Sequence, residues 1–324
     1  MNLNKTFIST IKLLIIIISI SYIIIKIRYE INNNTDFTQE ISNFHKYNLF
    51  YLLFSIILMP INWFLESLKF KILLHNIQTI SNKQSIKAIL SGITVSIFMP
   101  KRIGDFGGRI IFLKKNNKIK GVLATLLGSM SQLIITIIIG LSFFPAYLNY
   151  NNILQKYNIN ENIIFAFSLL SIIIVLFIFL NISKLNIYIK RVSFLNKYNN
   201  LLSFVNQYTK KQLLSLLTLS LLRYFIFSSQ FILLLHSFNV TLPYNEAIIG
   251  ISQIYFLMIV IPVFSLGELS IRGSLSVWVL NSFTPLVSGV LATSILLWFI
   301  NLAIPAIIGS IFILKTPHNS SSKI

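Results

Sequence analysis

The sequence predicts an all-α, polytopic helical membrane protein with inverted repeats, six full crossings and two re-entrant helical hairpins. Three observations indicate this fold class. Of the 324 residues, 55% are hydrophobic and 11% are charged, whereas about 25% of a soluble domain is charged. Apolar runs of about 20 residues recur along the chain, and such runs fit the roughly 30 Å hydrocarbon core of a bilayer. Two charged turns broken by proline and glycine interrupt the apolar pattern.

The six full crossings follow from the apolar runs in chain order. The first run comes after Lys5 and Lys12, as in a signal peptide, but no small-residue cleavage site follows it, so we predict an uncleaved transmembrane helix. Residues 185–207 mix apolar and basic positions, which is typical of a segment along the membrane interface. The predicted crossings are about 7–26, 47–66, 119–144, 161–182, 211–236 and 286–314.

Two further apolar segments, about 84–99 and 244–266, each run into a broken, charged turn and then a short helical stretch. The first short stretch, about 105–115, would rise only ~17 Å as a helix, which is too short to cross the bilayer. We therefore predict re-entrant hairpins over about 84–115 and 244–282 rather than additional crossings.

The distribution of basic residues orients this topology. With the N-terminus inside, eighteen Lys and Arg residues fall on the cytoplasmic side, Lys69 among them, and four fall outside. Such a split obeys the positive-inside rule. We therefore expect a multi-pass protein of a bacterial-type cytoplasmic (inner) membrane, with both termini in the cytoplasm.

The two broken segments share a motif in which a proline precedes Gly-acid-x-x-x-Arg. Three crossings lie between them, so the two hairpins should insert from opposite faces, as in the inverted repeats of transporters. In the other interpretation, each acid caps a surface helix and pairs with the arginine one turn later. The matching residues are Pro100, Gly104, Asp105 and Arg109 in the first segment and Pro262, Gly267, Glu268 and Arg272 in the second.

Arg223 is a charged residue within a predicted crossing. It follows Lys211 by 12 residues, which places it ~18 Å into its helix, and an arginine at that depth marks an ion-pair partner or a substrate pathway. Glu66, Asp105 and Glu268 are its candidate partners. The candidate substrate-binding residues of the whole chain are Arg102, Gly104, Asp105, Arg109, Arg223, Gly267, Glu268 and Arg272.

The charge of this set indicates the kind of molecule that it would bind. When Lys101 is added, the five basic residues outnumber the two acids by three charges. An excess of positive charge favours an anionic group, and arginine forks suit phosphate. The expected partners are therefore membrane lipids with anionic or phosphate-bearing headgroups, such as a phospholipid or a polyprenyl phosphate. The sequence leaves the formation of a homo-oligomer open.

Composition also argues against several classes of function. The net charge of +19 would suggest nucleic-acid binding in a soluble protein, but here basic loops beside anionic lipid account for it. No cysteine is present, which excludes disulfides and thiolate metal sites, and the four histidines are scattered without ligand spacing. We therefore expect no nucleic-acid partner, no cofactor and no metal site.

At the residues of the two proline–glycine motifs, the chain resembles the transmembrane region of lysylphosphatidylglycerol synthase/flippase proteins. The resemblance covers nearly the whole chain and implies one flippase-like transmembrane domain over 1–324, which moves or handles polar lipids. The stretches "NWFLESLKFKILL" from Asn62 and "LLRYFIFSSQFILLL" around Arg223 also fit the family. The first family motif matches Pro100, Arg102, Gly104, Asp105 and Arg109, and the second matches Pro262, Gly267 and Arg272.

Departures from the family pattern bear on the expected activity. Where many members have Arg-Glu in the second motif, this chain has Arg272-Gly273, with its acid earlier at Glu268. Larger members append a soluble aminoacyl-transferase domain, and only ten residues follow Leu314 here, so lipid aminoacylation and an enzymatic role are not expected. The favoured function is translocation or handling of a polar (phospho)lipid or lipid-linked headgroup. The alternatives are a membrane-embedded enzyme with Asp105 or Glu268 as general base, and a non-catalytic partner of envelope proteins.

Overall fold

The computed structural model describes residues 48–97, 103–182, 206–261 and 268–315, together with positions 21 and 204. This part of the chain is built from helices and contains no strand. Five of its helical spans are long and apolar enough to cross a membrane, which confirms a polytopic helical membrane protein. They match five of the six predicted crossings; the crossing at 7–26 and most of the segment 185–207 lie outside the described residues. The spans are Leu49–Leu74, Lys115–Tyr150, Glu161–Leu180, Lys210–Ser237 and Val287–Lys315.

The described residues form eleven α-helices. A short 3₁₀ turn, Lys115–Asn117, precedes α4, and a π-helical segment, Phe299–Ala303, joins α10 to α11 so that the two form one continuous span. The helices are α1 Leu49–Leu74, α2 Asn82–Ser96, α3 Gly104–Ile110, α4 Lys118–Tyr150, α5 Ile153–Lys156, α6 Glu161–Leu180, α7 Lys210–Ser237, α8 Tyr244–Val260, α9 Glu268–Leu280, α10 Val287–Trp298 and α11 Ile304–Lys315.

Helix α1 extends eight residues beyond the predicted end of its crossing at 66. The apolar side chains of Phe70 and Leu73 in this extension are fully buried, and the hydroxyl of Tyr208, just before α7, donates to the carbonyl oxygen of Leu73 at 2.7 Å. Because the helix continues under this cover, Lys69 is only 1% exposed. Lys69, which the predicted topology counts with the residues on the cytoplasmic side, is therefore buried inside the helix bundle.

Both broken segments fold back as helical hairpins. In the first, a Cβ on Gly108 of α3 would lie 2.4 Å from the carbonyl oxygen of Ser91 on α2, so only glycine allows this approach of the two backbones. In the second, Gly250 near the start of α8 lies against Leu280 at the end of α9. The turns of the two hairpins, 98–102 and 262–267, lie outside the described residues.

Each hairpin begins and ends at one end of the helix bundle. Before α2, the side-chain oxygen of Gln78 accepts a hydrogen bond (3.1 Å) from the backbone N–H of Lys114, which lies just before α4. At the other end of α4, the ring of Tyr150 lies 4.3 Å from that of Phe283, which follows α9. Tyr150 also interacts with Glu246 in the first turn of α8. Since α4 runs between these two ends, the hairpins open towards opposite ends, as predicted for an inverted repeat.

The two hairpin-bearing units pack about an antiparallel pair of helices, α1 and α7. Asn48, just before α1, donates to the side chain of Asn239, just after α7, at 3.2 Å, whereas Tyr208 before α7 meets Leu73 near the end of α1. Around this pair, α4 packs on α8 as α11 packs on α2, and α3 packs on α4 as α9 packs on α10. Helices α1, α2, α3 and α4 therefore correspond to α7, α8, α9 and the continuous span of α10 and α11. Exchanging the two sets preserves the pattern of contacts, which is the arrangement of inverted repeats.

Candidate functional site

A cavity of about 650 Å³ lies between the two repeats. Helices of both repeats line it, including α1, α3, α7 and α9. The four cationic and two acidic side chains in its lining give an excess of two positive charges among the described residues. These charged residues are Glu66, Lys69, Asp105, Arg109, Arg223 and Arg272.

Glu66 of α1 lies at the centre of the charged cluster. One carboxylate oxygen accepts a hydrogen bond from Nη1 of Arg109 at 2.8 Å. The other accepts from Nζ of Lys69 at 2.9 Å and from Nη1 of Arg223. The Glu66 side chain is 5% exposed, and such a buried carboxylate requires these cationic partners. Since Arg109 belongs to the first repeat and Arg223 to the second, Glu66 connects the two.

Arg223 of α7 is held on several sides within the bundle. Its Nε donates to the side-chain oxygen of Asn62 at 2.9 Å, and its Nη1 donates to that of Gln132 at 3.3 Å. The guanidinium also lies over the rings of Trp63 and Phe227, 5.3 and 5.8 Å from their centroids, as cation–π contacts require. Arg223 is therefore fixed both electrostatically and by packing.

Asp105 and Arg109 form a bidentate ion pair within α3. Nε and Nη2 of Arg109 donate to the two carboxylate oxygens of Asp105 at 2.7 and 2.6 Å. The two residues are one helical turn apart, as expected if the acid capped a surface helix and paired with the arginine. The Arg109 side chain is only 5% exposed, however, and the pair lines the cavity. Asp105 thus orients Arg109, while Nη1 of Arg109 remains directed at Glu66.

The family described as "Lysylphosphatidylglycerol synthase TM region" matches residues 9–309 of the chain. The protein belongs to this family. The match confirms the resemblance carried by the two hairpin motifs, and it includes every charged residue that lines the cavity. No curated protein and no solved structure matches the chain. Together with the membrane spans, the family makes the chain an integral membrane protein that handles lipids.

The cavity of this family member brings together some of the residues predicted for the site. Asp105, Arg109, Arg223 and Arg272 all line it, and Arg272 reaches it half-buried from α9 of the second repeat. Arg102 and Gly267 lie outside the described residues, and Glu268 is described only as the first residue of α9, without its side chain.

Gly104, one of the predicted substrate-binding residues, makes a close backbone contact within the first hairpin. It is buried, and a Cβ on it would lie 2.3 Å from the carbonyl oxygen of Val95 on α2. The close backbone approach that glycine allows at this position is therefore an approach between the two helices of the hairpin.

Three residues of the charged site fall outside the predicted substrate-binding set. Asn62, Glu66 and Lys69 lie on one face of α1, at spacings of four and three residues, and polar residues with this spacing in an apolar helix are the signal that could have identified them. Lys69 also donates to Ser220 of α7 at 3.3 Å. Gln132 of α4 contacts both Arg223 and the backbone oxygen of Ser220.

Proposed function

We propose that this protein translocates a polar lipid with an anionic, phosphate-bearing headgroup between the leaflets of the cytoplasmic membrane. The observation that carries the proposal is the cavity between the repeats, whose described lining residues have an excess of two positive charges. Arg109, Arg223 and Arg272 supply guanidinium groups from three different helices. Guanidinium forks bind phosphate oxygens in pairs, so the cavity suits this headgroup.

The architecture supports translocation because a phosphate cannot cross hydrocarbon without replacement of its hydration shell. The cavity offers such replacement, and it is bounded by hairpins that open towards opposite ends of the bundle. Discontinuous helices of this kind form the substrate sites of transporters built from inverted repeats. An enzymatic role would instead use Asp105 as a base, and both of its carboxylate oxygens accept hydrogen bonds from Arg109.

A leaflet-accessibility assay tests the proposal. The purified protein is reconstituted into phosphatidylcholine vesicles with trace phosphatidylglycerol that carries a fluorophore on an acyl chain, and dithionite is added outside. In protein-free vesicles, quenching stops once the outer leaflet has reacted. We expect quenching in the protein vesicles to continue into the inner-leaflet pool, and to proceed faster for phosphatidylglycerol than for labelled phosphatidylcholine.

Matched variants connect this transport to the cavity. Arg109→Lys keeps the charge but loses the bidentate fork, and Arg272→Gln removes a cation from the second repeat. Each should slow transport about tenfold or more, because a hydrogen bond to a charged group contributes roughly 1.5–3 kcal/mol. Lys83→Gln, on an exposed position of α2, removes one charge elsewhere and should transport like the wild type. Quenching equal to that of protein-free vesicles rejects translocation, and a lipid species missing from a deletion strain would favour an enzyme.

A further inference from the structure

The carboxylate of Glu66 accepts hydrogen bonds from two of the arginines that line the cavity, Arg109 and Arg223. We propose that Glu66 is an internal competitor for the headgroup phosphate, and that its carboxylate takes up a proton when the phosphate displaces it from Arg109 and Arg223. This inference rests on the proposed function and adds its coupling: each anionic headgroup moves together with one proton.

The donors of the two arginines show how such an exchange can occur. Nη1 of Arg109 and Nη1 of Arg223 each hold one oxygen of Glu66. The Nε atoms have other partners, Asp105 for Arg109 and Asn62 for Arg223. Both guanidiniums therefore stay oriented when Glu66 leaves, and the two non-bridging oxygens of a phosphodiester can accept from the same pair of Nη1 groups.

The charges around Glu66 favour proton uptake after the exchange. Among the described residues, its charged neighbours are Lys69 on its own helix, Arg109 of α3 with its partner Asp105, and Arg223 of α7, while α4 contributes the neutral Gln132. Arg272 of α9 faces the same cavity. A displaced Glu66 would lose its ion pairs with Arg109 and Arg223 and keep the one with Lys69. It would also face the headgroup phosphate, a second anion, in a buried site, and protonation of Glu66 removes the repulsion between the two anions.

The bound state then carries the same charge as the resting site. A phosphodiester brings one negative charge and the proton brings one positive charge, so the excess of two positive charges in the cavity lining is unchanged. When the headgroup leaves on the other side, Glu66 returns to its arginines and releases the proton there, so the complete cycle moves one anion and one proton with no net charge, and a proton gradient can drive it.

Calorimetry of the full-length protein in non-ionic detergent tests the exchange directly. The probe is monomeric dihexanoyl phosphatidylglycerol, titrated at pH 7 in buffers that differ in ionisation enthalpy, so that the buffer dependence of the heat counts protons. A phosphodiester is fully ionised at this pH, and any proton taken up therefore belongs to the protein. We expect uptake of about one proton per bound probe, and an affinity that rises as the pH falls, by at most about tenfold per pH unit.

Variants locate the proton. Glu66→Gln keeps the hydrogen-bonding shape without the charge, so the probe should bind about tenfold or more tightly at pH 8 than to the wild type, without proton uptake. Lys69→Gln should still take up a proton, which separates Glu66 from its neighbour. Glu161→Gln removes a carboxylate from the exposed first turn of α6 and should show wild-type uptake.

The outcomes distinguish this inference from the proposed function. Wild-type binding without proton uptake overturns the exchange but leaves translocation of an anionic lipid standing, whether or not Glu66→Gln folds. Weaker binding by a folded Glu66→Gln protein also overturns it, because the carboxylate would then be a structural support rather than a competitor. Failure of the wild type to bind the probe overturns both the exchange and the assigned headgroup.

Discussion

At the scale of single residues, Arg223 joins the two repeats through Glu66, Asn62 and Gln132. Arg223→Ala would remove one of the cations that neutralise buried Glu66, and breaking a buried ion pair costs roughly 3–5 kcal/mol. We expect a clearly lower melting temperature for the variant in detergent, measured by differential scanning fluorimetry. Lys211→Ala, at an exposed position in the first turn of the same helix, is the matched control and should melt like the wild type. Equal melting temperatures for Arg223→Ala and the control would mean that the ion pair does not stabilise the fold.

The depth of Arg223 could be predicted from the sequence, but its surroundings could not. Counting residues from Lys211 gives the position along the helix axis, and this was enough to expect a partner or a pathway. The acid that pairs with Arg223 depends on how α1 packs beside α7. The sequence alone allows three acids as this partner, Glu66, Asp105 and Glu268. The sequence does not indicate that Lys69 is buried, because the predicted crossing ends at 66, whereas the helix continues to Leu74 and buries this lysine.

At the scale of elements, two neighbouring glycines of α3 should respond differently to the same substitution. A Cβ on Gly108 would lie 2.4 Å from the carbonyl oxygen of Ser91 and 2.5 Å from Cα of Gly92, whereas a Cβ on Gly107 meets no atom within 4 Å. Gly108→Ala must push α3 away from α2, which costs roughly 1–3 kcal/mol, and it displaces the adjacent Arg109. Transport in the vesicle assay and thermal stability should therefore both fall.

Gly107→Ala is the internal control for this prediction. Alanine favours the helix over glycine by up to ~1 kcal/mol, so this variant should be as stable as the wild type or slightly more stable. If the two alanine variants behave alike, the backbone contact between α2 and α3 does not determine the position of Arg109.

The hairpins themselves could be predicted because a helix of about 11 residues cannot span the bilayer. The contacts of the hairpin glycines could not be predicted from the sequence. Gly104 and Gly108 pack on α2, and the register of this packing depends on the path of the turn between α2 and α3. The five described spans were predictable for a simpler reason, since length and hydropathy specify them directly.

At the scale of the whole molecule, the two repeats are inverted relative to each other in the described part of the chain. The sequence contained the reason for this arrangement, since three crossings separate the two motifs and an odd number reverses direction. The antiparallel packing of α1 on α7 then brings cations of both hairpins to one cavity. The charged cluster is therefore a consequence of topology, as are the opposite openings of the hairpins.

This topology predicts which loops are accessible from each side of the membrane. The chain has no cysteine, so single substitutions provide unique labels for a membrane-impermeant maleimide in spheroplasts. Lys83 lies in the first turn of α2, where the first hairpin begins, Lys118 begins α4 after that hairpin, and Lys211 lies in the first turn of α7. We expect cysteines at these three positions to react only after permeabilisation, because the positive-inside rule predicts that the basic end of the bundle faces the cytoplasm. A cysteine at Lys156, beyond the far end of α4, should react in intact spheroplasts.

The comparison of Lys83 with Lys118 is the decisive one for the hairpin. If α2 and α3 crossed the membrane as one unit, the two positions would lie on opposite faces, and every later loop would be inverted. The hydrogen bond from the backbone of Lys114 to Gln78 instead holds the two ends of the hairpin together. Labelling of Lys118→Cys in intact spheroplasts, with Lys83→Cys protected, would therefore refute the re-entrant hairpin, and with it the cavity shared by two repeats that open to opposite faces.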